Sequence, residues 1–340
     1  MALDISRLSL VPMRNGEMAG TCPFCGDTKR HFYVNPHKGV YVCFRCGTAG
    51  RLDGSSTVFD DGAVSAAEEP AEPLADDERI GQVYAVLLET LDLSPEHLAH
   101  LRSPARGLSD EVIGKKGYRT LPSGRRTEIG KRVAEKVEPR GVPGFYLYRG
   151  RAGRRVWCVA GPPGLLIPVR NFEGAIWGVQ IRPDDRSSWP KYVWLSSAAA
   201  RRGTCGVGAK ARFHVARAGR NDGTVWITEG PLKADIAASK LGRTFVAVPG
   251  VQCWRSSGLI GALKRERVRV VVLAYDMDAV LNPHVESAAL ELGSALEQAG
   301  IHAVYAWWRI EEGKGIDDVL LNGGEVRVMS KGSWKRRVLS

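Results

Sequence analysis

Residues 268–279 read VRVVVLAYDMDA, a run of β-branched and aliphatic residues that ends in two aspartates, Asp276 and Asp278. Such a run predicts a strand that is buried on both faces, as in a parallel sheet. The crevice at the carboxyl ends of parallel strands is where α/β proteins bind ligands. Side chains two positions apart on a strand point to the same side, so we expect both carboxylates to face one cation.

The sequence on either side of this strand extends the α/β pattern. From Thr224 onward strands alternate with helices, which predicts a doubly wound parallel sheet. The strand TVWIT leads directly to Glu229, and the last strand is followed by Asp317 and Asp318. Because the carboxyl ends of parallel strands meet at one edge, these acids are expected near Asp276. A cluster of this kind repels itself unless a cation neutralises it, and oxygen ligands favour Mg2+ or Mn2+.

A simpler interpretation exists for each acid taken singly. One carboxylate after a strand commonly caps the next helix, and this alternative applies to Asp276, Asp317 and Asp318. Helix capping explains much less well why acids follow two strands and why a further pair lies at the same edge.

The first fifty residues carry a second motif, TCPFCGD followed by VYVCFRCGTAG. Two C-x2-C pairs separated by seventeen residues have the spacing of a zinc ribbon. Four thiolates form a closed tetrahedral site, so the predicted zinc is structural. The alternative is a small core with four reduced cysteines. The predicted ligands are Cys22, Cys25, Cys43 and Cys46.

The ribbon is predicted to contain two strands, His31–Asn35 and Val40–Cys43, joined by a turn at residues 36–39. Aromatic and basic side chains on such a surface can contact a nucleic acid by stacking and by pairing with phosphates. The alternative, which fits each of these residues equally well, is an ordinary ribbon surface without a binding role. The candidates are His31, Tyr33, Lys38 and Arg45.

The distribution of charge, like the ribbon, favours a nucleic-acid partner. The 340-residue chain has a net charge of +11, although residues 53–78 contain nine acids and no Lys or Arg. The remainder is therefore strongly basic, which favours a polyanionic partner such as nucleic acid, though charge alone is a weak signal. No run of eighteen apolar residues and no secretion signal is present, so we expect a cytoplasmic protein without a membrane partner.

The middle of the chain is basic and rich in short strands. The segment GLLIPVRNFEGAIWGVQIRPD predicts a hairpin closed at residues 171–174. Arg170 and Arg182 end its two strands, and Lys191 begins the next strand. Three cations at strand ends favour phosphate binding, with solvated strand ends as the alternative. Residues 122–142 give no clear assignment.

Two of these patterns resemble a known domain. Glu229-Gly230 at one strand end and Asp276-x-Asp278 at another resemble the TOPRIM domain, which bacterial-type primases, topoisomerases and some nucleases share. The order of a four-cysteine ribbon, a basic region containing IPVRNFEGAIWGVQIRPD and KYVWLSS, and then a TOPRIM pattern resembles a bacterial or phage DNA primase.

The resemblance implies a multidomain fold of mixed α/β and α+β class. The expected parts are a zinc-ribbon DNA-binding domain (1–52), an acidic flexible linker (53–77), a basic α+β part of the polymerase domain (78–222), a doubly wound parallel TOPRIM sheet (223–325) and a basic tail (326–340).

The resemblance also implies roles for individual residues. Glu229, Asp276 and Asp278 would hold the catalytic Mg2+ or Mn2+, assisted by Asp317 and Asp318. Nucleotide and template contacts would come from Arg170, Arg182, Lys191 and Lys233. Many family members carry an acid where this chain has Lys233, and Asp235 lies two residues further on, so the number of metal ions is open.

The implied reaction is the synthesis of short RNA primers from ribonucleoside triphosphates on single-stranded DNA. No G-x4-G-K-[ST] motif occurs, so a replicative helicase is expected as a separate chain. Two alternatives stay open at this point. One is a TOPRIM nuclease, and the other is a non-catalytic zinc-ribbon protein that binds nucleic acid.

Overall fold

The structure is a computed structural model. It describes residues 2–3, 5, 8–13, 17–23, 28, 30–36, 39–43, 49–52, 72–149, 154–198, 203–219, 222–250, 253–277 and 283–338. Most of the predicted linker lies outside these ranges. So do five predicted site residues: Cys25, Lys38, Arg45, Cys46 and Asp278.

The N-terminal residues form one small sheet. Its strands are β1 (Ala2–Leu3), β2 (Leu10–Pro12), β3 (Met18–Gly20), β4 (Phe32–Asn35), β5 (Val40–Cys43) and β6 (Ala49–Leu52), in the order β1-β6-β5-β4-β3-β2. The predicted hairpin is confirmed, because Asn35 pairs with Val40 and Gly39 donates to the Pro36 carbonyl. Phe32 and Val34 are buried, whereas Tyr33, between them, lies on the less buried face.

The next part of the chain mixes helices and antiparallel strands. In order, its elements are α1 (Asp77–Thr90), α2 (Pro95–Arg102), α3 (Asp110–Lys116), β7 (Arg119–Leu121), α4 (Arg126–Ala134), β8 (Phe145–Arg149), β9 (Arg155–Val159), β10 (Gly164–Arg170), β11 (Ile176–Pro183), β12 (Val193–Trp194), β13 (Gly203–Thr204) and β14 (His214–Ala216). Two sheets form here, in the orders β12-β11-β10-β7 and β13-β8-β9.

The remaining elements form a regular α/β series. They are β15 (Thr224–Glu229), α5 (Pro231–Leu241), β16 (Phe245–Val248), α6 (Leu259–Arg265), β17 (Val270–Leu273), α7 (Pro283–Gln298), β18 (His302–Trp307), α8 (Ile316–Leu321), β19 (Arg327–Met329) and α9 (Lys331–Val338). Short 3-10 turns occupy Cys253–Arg255 and Ile310–Glu312.

Contacts divide the chain into two compact units. The first consists of Met1–Leu93, Arg119–Leu166 and Ile176–Ala211, and the second of Ser94–Tyr118, Ile167–Ala175 and Arg212–Ser340. In the first unit, one face of α1 packs with Phe145, Leu166 and Ile181 in a common apolar core. The second unit therefore combines the α/β series with two segments from earlier in the chain, α2–α3 and the hairpin tip 167–175.

The sheet of the second unit has six strands in the order β14-β16-β15-β17-β18-β19. The four central strands pair in parallel, as the sequence predicts. Both edge strands, β14 and β19, are antiparallel, so the expectation of a purely parallel sheet is wrong at its edges. Each edge strand has only three residues, and an antiparallel neighbour does not require a helical crossover, although α8 lies in the connection between β18 and β19.

The predicted basic tail (326–340) contains regular structure in its described part, since β19 joins this sheet and α9 packs on β18. Trp334 of α9 is 2% exposed, stacks 5.1 Å from the Tyr305 ring and donates to the Ala306 carbonyl. The charged residues of the helix remain exposed around this anchor. Among the described residues, no helix is both long and apolar enough to cross a bilayer.

Candidate active site

Two neighbouring parallel strands bring Glu229 and Asp276 to the same edge of the second-unit sheet. The register pairs Thr224 with Val270 and Ile227 with Leu273. The strand β15 ends at Glu229, as predicted, whereas β17 ends at Leu273, three residues before Asp276. The run 268–279 is therefore a shorter strand than predicted, and Asp276 lies on the loop that follows it.

A backbone hydrogen bond brings the third carboxylate to this edge. The Met277 amide donates to the Lys314 carbonyl at 2.9 Å, which ties the loop after β17 to the segment before α8. Asp317 follows in the first turn of α8 and is 4% exposed. Asp318 instead accepts a hydrogen bond from the Gly315 amide and so makes the helix-capping contact that was its alternative role. We call Glu229, Asp276 and Asp317 the acidic edge.

A lysine lies within the acidic edge. Lys233, in the first turn of α5, forms an ion pair with Asp276 Oδ1, and the two side chains are 18% and 16% exposed. Burial alone would lower the pKa of the Lys233 ammonium. The attraction of Asp276, Asp317 and Glu229 outweighs that effect and raises the pKa, so Lys233 remains charged at neutral pH.

Asp317 is the carboxylate with an unused oxygen. Its Oδ2 lies 3.6 Å from Arg106 Nη1, while its buried Oδ1 has no hydrogen-bond partner among the described residues. Burial and, less strongly, Asp318 and Asp276 raise the pKa of Asp317, against the attraction of Lys233 and Arg106. A buried carboxylate oxygen without a partner is costly, and a cation would satisfy it.

Gly315 provides the space in which two of these side chains end. A Cβ added there would lie 2.5 Å from Asp317 Oδ1 and 2.8 Å from Lys233 Nζ. The described residues contain no cluster of three Cys, His, Asp or Glu side chains that converges like a formed metal site. Asp278 is not among them. The donor chemistry at this edge thus fits a divalent cation, with Lys233 occupying part of the available room.

Neither the position of Arg106 nor the surroundings of Asp235 can be recognised from the sequence alone. Arg106 belongs to the segment after α2 and faces Asp317, a contact between distant parts of the sequence that no local pattern predicts. Asp235 is 1% exposed and faces the interior rather than the acidic edge. It pairs with Lys116 Nζ at 2.6 Å and accepts hydrogen bonds from Tyr118 Oη at 2.6 Å and from His214 Nε2 at 3.1 Å.

The Asp235 network extends to Arg170. The Arg170 amide donates to His214 Nδ1 at 3.0 Å, so Nδ1 carries no proton and Nε2 is the donor to Asp235. The Arg170 guanidinium donates to the Gly174 carbonyl across the hairpin tip, and burial lowers its pKa. Arg170, a predicted phosphate contact, thus also stabilises its own hairpin.

The other predicted cations belong to the first unit. Lys191 is exposed, with Nζ 5.7 Å from the Tyr192 ring centroid, and Arg182 is half-buried on β11. Their roles in binding nucleotide or template stay predictions.

Two of the four predicted zinc ligands are described. Cys22 and Cys43 are fully buried in the ribbon core. Gly20 of β3 pairs with Phe32 of β4, and Phe32 pairs with Cys43 of β5. This register places Cys22 and Cys43 at the same end of the sheet. Soft thiol donors of this kind fit zinc. His31 and Tyr33 are half-buried beside them, and contacts of these two residues with DNA stay predictions.

Two family models match parts of the chain. Residues 7–64 match the CHC2 zinc finger, which supports a structural zinc in the ribbon. Residues 218–326 match a domain of unknown function, DUF3854. No curated protein matches the chain by sequence.

Solved structures resemble most of the chain. The crystal structure of the Aquifex aeolicus primase zinc-binding and RNA polymerase domains aligns with a TM-score of 0.53 and 17% identity, over 94% of this chain and 82% of that one. The chain has the fold of a DnaG-type primase. A second primase structure, the RNA polymerase domain of Mycobacterium tuberculosis DnaG with a double-stranded DNA oligomer bearing a 6-nucleotide overhang, gives 0.53 at 17% identity, over 74% and 80%. The DnaG catalytic core gives 0.50 at 17% identity, over 76% and 78%.

Proposed function

We propose that this protein is a DNA primase that joins ribonucleoside triphosphates into short RNA primers on a single-stranded DNA template. The observation that carries the proposal is the acidic edge, where Glu229 and Asp276 follow adjacent parallel strands and Asp317 lies in the helix that the loop of Asp276 contacts, in a chain with the primase fold.

We further assign the second-unit sheet to the TOPRIM class. The support is a glutamate that ends β15, a glycine directly after it, and an aspartate in the loop after the adjacent parallel strand. Asp278 completes the motif in sequence. The predicted ribbon boundary at residue 52 is part of the same proposal, whereas the sheet begins before the predicted residue 223, because β14 (His214–Ala216) is its edge strand.

The acidic edge would hold Mg2+ or Mn2+ through Glu229, Asp276, Asp278 and Asp317. A divalent ion bound there would lower the pKa of the primer 3′-hydroxyl and stabilise the departing pyrophosphate. The carboxylates themselves act by position and charge rather than by proton transfer. Arg106, which is 16% exposed and already faces Asp317, supplies positive charge beside a bound triphosphate.

The template is proposed to run over the basic surfaces. Lys191, Arg182 and Arg170 would contact phosphates, and the ribbon, through His31, Tyr33, Lys38 and Arg45, would contribute to the choice of start site. Related primase structures have been determined with DNA, which supports a DNA template. A replicative helicase on a separate chain, and a phage-infected or bacterial cytoplasm, complete the proposal.

The experiment compares the wild type with Asp276→Asn in a reaction containing single-stranded DNA, labelled ribonucleotides and Mg2+. Asp110→Asn is the matched control, because Asp110 pairs with Arg102 on the surface of the same unit. We expect short RNA products from the wild type and the control and none from Asp276→Asn. DNA cleavage without RNA synthesis would instead support a nuclease, and DNA binding with neither activity a non-catalytic protein.

A further inference from the structure

We propose that the Lys233 ammonium replaces one metal ion at the acidic edge, so that the edge binds a single divalent cation. This inference deepens the metal site of the proposed function and rests on it. It concerns how many ions the site takes and which residue sets that number.

The first support is the place of Lys233. The side chain leaves α5 one turn after Glu229 and pairs with Asp276 Oδ1, and both partners are largely buried. An ion that entered beside this oxygen would have to expel the ammonium. A buried pair that loses one partner leaves an uncompensated charge, so expulsion is strongly opposed.

The second support is the charge balance. Three carboxylates of the acidic edge face two protein cations, Lys233 and Arg106. Two divalent ions in addition would leave the described part of the edge strongly positive. A single ion leaves the balance closer to neutrality, which is the condition for burying charged groups together.

The third support is the oxygen that remains available. Asp317 Oδ1 is buried without a hydrogen-bond partner among the described residues, whereas Asp276 Oδ1 is already paired. The same Gly315 surface borders Asp317 Oδ1 and Lys233 Nζ. Asp317 Oδ1 and the Lys233 ammonium therefore lie next to each other. This arrangement is expected if Asp317 binds one metal ion and Lys233 takes the place of a second.

The test counts bound Mn2+ on the full zinc-loaded chain by electron paramagnetic resonance, using the signal of free Mn2+ during titration. We expect one tight ion per wild-type chain. Lys233→Asp, which replaces the ammonium by a carboxylate, should bind two. Lys233→Met, which keeps the length and removes the charge, is a second variant in case the aspartate prevents folding. Lys240→Met is the matched control, because Lys240 lies exposed on the same helix. It should bind one.

The outcomes separate this inference from the proposed function. Two tight ions in the wild type, or one ion in both wild type and folded Lys233 variants, would overturn the role of Lys233 and leave the primase proposal standing. No bound ion in the wild type would overturn both. One ion in the wild type, two in the variants and no RNA synthesis would support the Lys233 inference and contradict the primase function.

Discussion

Replacing Asp235 by asparagine tests whether the buried network stabilises the second unit. The substitution keeps the shape of the side chain and removes its charge. Lys116, whose side chain is 17% exposed, would then lack its counter-charge. The Tyr118 hydroxyl and the His214 Nε2 proton would compete for one amide oxygen where a carboxylate offers two.

The magnitude follows from these partners. Removing one member of a buried ion pair costs about 3–5 kcal/mol, because the other charge stays buried. We therefore expect the free energy of unfolding of the second unit to fall by about 3–5 kcal/mol at pH 7. Asp110→Asn, at an exposed ion pair, should cost far less.

The dependence on pH gives a second, independent check. Burial alone would raise the pKa of Asp235, but the partners His214 and Lys116 outweigh it and hold the pKa below its usual range. A group with a depressed pKa stabilises the fold above its unfolded pKa, about 3.9, and loses this contribution as the pH falls toward the folded pKa. The cost of Asp235→Asn should thus be largest near neutral pH and shrink below about pH 4.

Native-state hydrogen exchange is the suitable assay, because the amides of α5 report on the second unit alone. The wild type, Asp235→Asn and Asp110→Asn are compared at the same pH. If Asp235→Asn weakens the protection of α5 no more than the control does, the buried charge pair contributes no net stability and this account of the network is wrong.

Three further predictions concern other sites. Cys22→Ser should abolish stoichiometric zinc, measured by mass spectrometry of the metal, and unfold the ribbon, because a structural site that loses one thiolate no longer binds tightly. Gly315→Ala should destabilise the second unit by about 1–3 kcal/mol, because the added Cβ would lie 2.5 Å from Asp317 Oδ1 and 2.8 Å from Lys233 Nζ, two largely buried groups held in ion pairs. It should also weaken Mn2+ binding by displacing Asp317 Oδ1. Gly114→Ala, where nothing lies within 4 Å, is its control. Lys191→Gln should reduce the slope of log affinity against log salt for single-stranded DNA by about 0.7. An unchanged slope would remove Lys191 from the template contacts.

Local signals in the sequence predicted much of the second unit. The helix α5 occupies Pro231–Leu241 between two local signals, because Pro231 suits a first helical position and Gly242 a left-handed end. Ser94 and Ser109 cap the two helices that their positions indicate. These features depend on neighbouring residues only, which is why they can be recognised without the fold.

Features that depend on distant residues escaped prediction. The helix α4 begins at Arg126, and the residue before it, Arg125, adopts φ 60° and makes no side-chain cap, so no start signal marked the helix. The pairing of Lys116 with Asp235, and of Arg106 with Asp317, joins segments far apart in the chain. At the candidate site the sequence predicted that Glu229, Asp276 and Asp317 lie at one edge and offered helix capping as the alternative for Asp318, but it did not indicate that Lys233 would pair with Asp276.

The junction between β15 and α5 has a consequence for how this site can change. Gly230 adopts φ 78°, and Pro231 locks the next φ, so the chain turns from strand to helix over two residues. Glu229 and the side chain at position 233 therefore keep a fixed spacing whatever residue occupies 233. A single substitution at that position can add or remove a charge while the backbone stays in place. The charge of the edge at position 233 can thus be changed separately from the shape of the strand-to-helix turn.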